Sequence, residues 1–399
     1  MGMPVPNAAS PSDDLFHLRR DESEFISATR LFMITGLVFH HMFGLPDSAY
    51  YPRNPLTQFS ALVPDLINGL AHMSFMAAVP ALSVISGFLF FRRPEVSFGK
   101  LLKKRFFSVA LPSWIWCLFW LGFGFVLYEV GKGPGWFEWA DYQFEDFGLL
   151  ALANGVIGID QRPWAFQFWF IHDLILTLAL SPIIFWLLKR LGGNFVAAML
   201  VVWVIGYAPP PFFSLNVLAF FIIGAYLGLP DGPRLSTALQ SLERVGPYVT
   251  PLFVAALMVR QFSFVFGEYE AHFLGHHYLC ALRILGVISF SHVLYRLVLG
   301  NSAFKDLLIR YSGYSFFIFA THYPIIECIK IISRRIPEST SQIGYFVLLV
   351  AIPGITLALC ILWAKLLEHF APSLFRLLNG GRAGAQAPRA RPVLARATG

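Results

Sequence analysis

Runs of about twenty mainly apolar residues recur along this chain, and that is the length an α-helix needs to cross the hydrocarbon core of a bilayer. Ten such runs fall near 25–45, 68–91, 106–128, 166–188, 194–208, 214–229, 248–266, 276–299, 312–333 and 343–368. Composition agrees: of 399 residues, 56% are hydrophobic and 13% charged, against about 25% charged in ordinary soluble domains. In lipid the backbone satisfies its own hydrogen bonds, so runs of this length read as helices. The expectation is an all-α, polytopic membrane helical bundle of about ten transmembrane helices. Runs five and six are short, and PPP at 209–211 divides them into a hairpin.

Orientation follows the lysines and arginines of the short loops. The connection after the second run, RRPEVSFGKLLKKR, holds six basic residues and one acid, which assigns it to the cytoplasm. Both termini, Lys189–Arg190 and the 230–247 and 300–310 loops then share that side. The opposite connections are poorer in bases, although Arg334 and Arg335 break the trend. Three regions result: a polar N-terminus over 1–24 without the apolar core of a secretory signal, a transmembrane domain over 25–370, and a basic tail over 371–399. The tail is rich in Gly, Ala, Pro and Arg and reads as disordered, able to touch anionic membrane lipid. The 129–165 connection, with Trp and Phe among six acids, reads as an element at the membrane interface.

The net charge of +7 is what cytoplasmic membrane loops produce, and no separate soluble domain exists to hold nucleic acid. Cys117, Cys280, Cys328 and Cys360 all lie in apolar runs without C-x-x-C spacing, so they read as small buried hydrophobes. Zinc spacing of the H-E-x-x-H type, a P-loop, a dinucleotide fingerprint and a G-x-S-x-G elbow are all missing from the sequence. No bound cofactor is expected.

Chemistry must then come from ionisable groups inside the spans, which are costly there and face a protein interior or aqueous cavity. Arg30 and His41 lie eleven residues apart on the first helix, roughly 16 Å of rise and three turns plus about 20°. They therefore share a face, while His40 is rotated from it by about 80°. Helix four carries His172 and Asp173, helices seven and eight carry Arg260 and Arg283 at similar depth, and helix nine carries His322 and Glu327. His72 opens helix two. Together they suggest one polar cavity opening outward, and structural ion pairing of Asp173 with Arg260 or Arg283 is the plain alternative. Lys104 and Arg105, in the lysine cluster over 100–105, read as a positive anchor or as a hold on a phosphorylated donor.

Several stretches resemble the acyltransferase 3 family of membrane O-acyltransferases. They are the Arg30–His41 spacing, ALSVISGFLFFRR at 81–93, KLLKKRFFSVALPSW at 100–114, FWFIHDLILTLALSP at 168–182 and GYSFFIFATHYP at 313–324. They run in family order over most of the chain, to about residue 370. The resemblance implies about ten spans in a bacterial inner membrane. It also implies transfer of an acyl group, commonly acetyl, from cytoplasmic acyl-CoA to a hydroxyl of an envelope or exported glycan. Arg30 and His41 match the family's catalytic arginine and histidine. Family members often carry a second arginine shortly after the one matching Arg105; here Ser108 and Val109 stand in that neighbourhood. The soluble esterase-like domain fused to some members is missing.

The residues suit the chemistry. A neutral imidazole such as His41 can take the proton of a poorly nucleophilic hydroxyl, and Asp173 can orient it. Arg30 can hold donor phosphate or counter developing charge. Direct transfer and a transient acyl-enzyme are both compatible with this set. The competing class is a transporter or flippase of a lipid-linked saccharide, for which intramembrane charges in a polar cavity serve equally well; a third is a membrane sensor or scaffold.

Overall fold

The computed structural model of the protein describes residues 18–42, 69–92, 97–131, 144, 148–206, 213–265, 273–333 and 342–385. Among them the regular structure is helical. In chain order we name α1 Arg20–His40, α2 Gly69–Phe91, α3 Phe98–Glu129, α4 Leu149–Val156, α5 Trp169–Ala179, α6 Ser181–Leu191, α7 Gly193–Ile205, α8 Leu215–Gly228, α9 Leu235–Val265, α10 Phe273–Leu299, α11 Ala303–Tyr311, α12 Ser315–Ser333, α13 Gln342–Phe370 and α14 Pro372–Leu378. By length and composition, five stretches of the described residues can cross a membrane: α2, α3, 235–261 of α9, 275–299 of α10 and 347–370 of α13. They number six if α5 and α6 together form one broken span. Sequence reading counts ten, and α7 and α8 are the short apolar pair it anticipates.

Helix ends depart from the apolar runs where polar residues extend or break a helix. α1 starts at Arg20 rather than near 25, because Glu22 accepts the backbone N–H of Arg19 at 3.0 Å and Asp21 and Glu22 suit the positive end of the helix dipole. α9 starts at Leu235, inside the expected 230–247 loop, and continues through Pro247 and Pro251. The expected fourth span bends by 63° between α5 and α6. Pro182 stands in the first turn of α6, where its missing N–H costs least and the chain cannot continue the previous helix.

The expected disordered tail is also corrected in part. α14 and the turn after it fold back onto the bundle as far as residue 385, with Asn379 fully buried. The tail beyond 385, PPP at 209–211, Arg334, Arg335 and most of the polar N-terminus lie outside the described residues. Of the interfacial element over 129–165, residues 132–143 and 145–147 also lie outside them, and 149–156 form α4.

α1 is the central helix, packed against α2, α10, α11, α12 and α13. Its Ala28, Met33 and Val38 have no exposed surface. The perimeter is apolar instead: Phe107, Leu118, Ile183, Val201, Leu252 and Val350 are exposed on the outer helices, as expected where lipid is the solvent. Small residues let two of the inner helices approach closely. A Cβ on Gly87 would run into the Phe221 carbonyl oxygen, and one on Gly224 into that of Val84. Replacing Gly224 by leucine is therefore expected to separate α2 from α8 and cost about 1–3 kcal/mol or more, read as a lowered melting temperature in detergent.

Candidate active site

Two cavities lie along one side of α1. The first, about 100 Å³, is lined by Arg30 and Ile34 of α1, by Arg105 and Val109 of α3, by Phe170 of α5, by Phe316 and Phe319 of α12, and by Arg382 beyond α14. Arg105 caps, and Val109 belongs to, a π-helical turn over Phe106–Ala110, a widened turn of the kind that recurs at functional sites. The Arg382 guanidinium stacks 5.0 Å from the Phe316 ring centroid, and that of Arg105 lies 6.0 Å from Phe90. Burial, then repulsion from Arg30 and Arg105, pushes Arg382 down to about 9. Among the described residues no carboxylate pairs with Arg30 or Arg382. Three guanidinium groups around one small cavity are complementary to an anion. Lys104 does not line it and is exposed.

The second cavity, about 280 Å³, opens at the far end of α1. Its polar lining is His40, His41, Arg162, Gln167, Asn216, Arg283 and His322. His41 is the C-cap of α1, where the chain leaves helical geometry at φ −84° and ψ 3°. Its N–H donates to the Leu37 carbonyl at 3.1 Å, and its own carbonyl accepts from Lys330 Nζ at 3.2 Å. Lys330 is in turn paired with Glu327 at 2.6 Å. The orphan carbonyl at the helix end is thus satisfied, and the His41 backbone is fixed without using its ring. The ring packs edge-on to Tyr323 at 4.8 Å and lies 5.4 Å from His322, centroid to centroid.

His322 is fully buried, and its Nδ1 faces the carbonyl oxygens of Phe319 and Ile318 at 2.8 and 3.0 Å. Carbonyls only accept, so Nδ1 carries the proton and Nε2 is left as an acceptor. That Nε2 has no hydrogen-bond partner among the described residues, and the same holds for Gln167 Oε1 and Asn216 Oδ1. Gln167 Nε2 donates to the Ala320 carbonyl at 3.0 Å, which fixes the amide so that its oxygen is the acceptor. Three buried acceptors on one cavity, with the Arg162 and Arg283 donors beside them, match a ligand rich in hydroxyl groups.

His40 departs from the expected orientation, since it too lines this cavity. Its ring stacks on His72 at 4.0 Å, and each Nδ1–H donates to the other residue's carbonyl, at 2.8 and 3.0 Å. The reciprocal pair ties the end of α1 to the start of α2.

Other candidates separate. Asp173 is fully buried and makes no hydrogen bond or ion pair with His41 among the described residues. Its oxygens meet His172 Nδ1 at 3.2 Å, the Ser214 N–H at 3.0 Å and Arg162 at 3.9 Å. Asp173 thus holds Arg162 and the N-terminus of α8, whose second residue is Asn216. His172 Nε2 meets the Gly158 carbonyl at 2.9 Å, so both its ring nitrogens are occupied away from the cavity. Glu327 acts through Lys330. Arg283 lines the cavity, whereas Arg260 is buried in α9 outside its lining. Sequence reasoning missed Arg162, Gln167, Asn216, Lys330 and Arg382. A lone amide inside the apolar run FQFWF was the available signal for Gln167.

Phe170 and Phe319 line both cavities and form the partition between them. The arrangement joins a cationic pocket to an imidazole pocket, which suits transfer of a group from an anionic donor to a hydroxyl. The acyltransferase domain model of the acyltransferase 3 family matches residues 23–365. Among curated proteins, the succinoglycan biosynthesis protein ExoH of Rhizobium meliloti (strain 1021) is 26% identical over 381 residues, covering 92% of this chain and 94% of its own. No solved structure matches. With apolar helices long enough to cross a bilayer and a family match over most of its length, this chain is an integral membrane acyltransferase and belongs to the acyltransferase 3 family.

Proposed function

We propose that the protein transfers an acyl group, acetyl in the simplest case, from acyl-CoA to a hydroxyl of an envelope or exported glycan. The observation that carries this reading is the pair of cavities along α1: guanidinium groups in one, His41 and His322 in the other, and Phe170 and Phe319 between. The donor's phosphates bind Arg30 and Arg105, with Lys104 at the mouth, and its thioester extends past the two phenylalanines. The acceptor sits in the larger cavity against the free acceptors of Gln167, Asn216 and His322 and the donors of Arg162 and Arg283. His41 takes the hydroxyl proton as the oxygen attacks the thioester carbon. The C–S bond breaks, and the coenzyme thiolate leaves and is reprotonated. Asp173 contributes by positioning Arg162 and α8.

The glycan class is supported by the hydroxyl-matching cavity and by the similarity to ExoH, a succinoglycan biosynthesis protein. In this reading the Arg30 end, the basic 92–105 connection and both termini face the cytoplasm of a bacterial inner membrane. Cells given isotopically labelled acetate, with and without the protein, test it by mass spectrometry of their envelope glycans. A labelled acyl ester that depends on the protein is the expected result. Glycan translocation that depends on the protein, needs no acyl-CoA and leaves no acyl product would instead make it a transporter.

A further inference from the structure

The donor pocket contains a residue from outside the family-matched region. That match ends at residue 365, yet Arg382 lines the cavity beside Arg30 and Arg105. The segment that carries it is built into the fold. Asn379, fully buried, donates from Nδ2 to the carbonyls of Gly313 and Arg382 at 3.0 and 3.1 Å. Trp116 Nε1 donates to the Leu378 carbonyl at 3.0 Å. The Gly384 N–H donates to Glu368 Oε1 at 3.2 Å, while Tyr314 donates to the other oxygen of that carboxylate at 2.5 Å. Residues 379–384 thus form a clasp across the start of α12 and the end of α13.

The clasp also rests on α3. Gly380, at φ 65°, rests on the carbonyl oxygen of Ser108, and a Cβ there would collide with it. Gly313 likewise has room only for the carbonyls of Ala383 and Gly384. One Nη1 hydrogen of Arg382 is committed to the Asn379 carbonyl at 3.1 Å. A guanidinium has five N–H donors, and its burial beside two like charges is unfavourable unless an anion joins them.

We propose that Arg382 is a donor-binding residue, carried by the C-terminal clasp into the Arg30–Arg105 pocket, where it binds phosphate of the acyl donor. This rests on the donor assignment above. The test is equilibrium binding of coenzyme A, and separately of phosphate-free pantetheine, to the full-length protein in lipid nanodiscs. Arg382→Gln is expected to weaken coenzyme A binding about 10–100-fold, in line with the loss of a charge-assisted hydrogen bond. Pantetheine binding and the melting temperature stay unchanged, and Arg382→Lys falls between. An unchanged coenzyme A affinity in Arg382→Gln, with the wild type binding normally, overturns the proposal and leaves the donor assignment standing. Lowered melting temperatures in both variants, with equal loss of both ligands, also overturn it by reducing Arg382 to a fastening of the clasp. A wild type that binds no coenzyme A defeats the donor assignment, and this proposal with it.

Discussion

His41→Ala is expected to lower the turnover of acyl transfer by about 10²–10⁴-fold, the usual contribution of a positioned acid–base group, with donor affinity nearly unchanged. The substitution is unusually clean as a probe of chemistry. The contacts that fix the end of α1 use the His41 N–H and carbonyl, on Leu37 and Lys330, and alanine keeps both. What it removes is the ring that faces His322, Tyr323 and the cavity. His322→Ala should also be impaired, and the double variant should be little worse than His41→Ala alone, because two groups that handle one hydroxyl act as a unit. Single-turnover transfer of labelled acetyl from acetyl-CoA measures all three. Full activity in a folded His41→Ala protein would remove His41 from the reaction.

The spacing of Arg30 and His41 was readable because a helix converts eleven residues into a shared face and a fixed rise. Rotation between helices was not. Asp173 follows His172 directly and shares a depth with the site, yet its carboxylate turns to Ser214 and Arg162 on neighbouring segments. His40 was assigned to another face by ideal geometry, but helix geometry ends at His41, and the stacked His72 holds the neighbouring ring at the cavity. The apolar runs located most helices, whereas helix ends followed local chemistry the runs do not report, such as the Glu22 cap and the bend ahead of Pro182. Arg382 was the least legible of all. Its surroundings are Gly, Ala, Arg and Pro without periodicity, and its place depends on contacts with Gly313, Ser108 and Glu368 far away in sequence.

Arg30→Gln is expected to fail at a different step from His41→Ala. Arg30 stands eleven positions before His41, roughly 16 Å along α1, and the Phe170–Phe319 partition lies between their cavities. A group so placed cannot reach a carbon reacting at His41, so its charge acts on the donor's anionic end. Removing it should raise the KM for acetyl-CoA and lower kcat/KM by about 10²–10³-fold, the scale of losing one aimed donor in a water-poor site. Activity should return partly at saturating donor, which His41→Ala cannot show, since binding lost uniformly raises KM while chemistry lost lowers kcat. Arg30→Lys keeps the charge and loses the planar fork, so its KM should lie between wild type and glutamine. Raised salt should weaken donor binding more in the wild type than in Arg30→Gln. A fall in kcat with KM unchanged would move Arg30 from the donor to the reacting atoms, and the two-cavity division of labour would then be wrong.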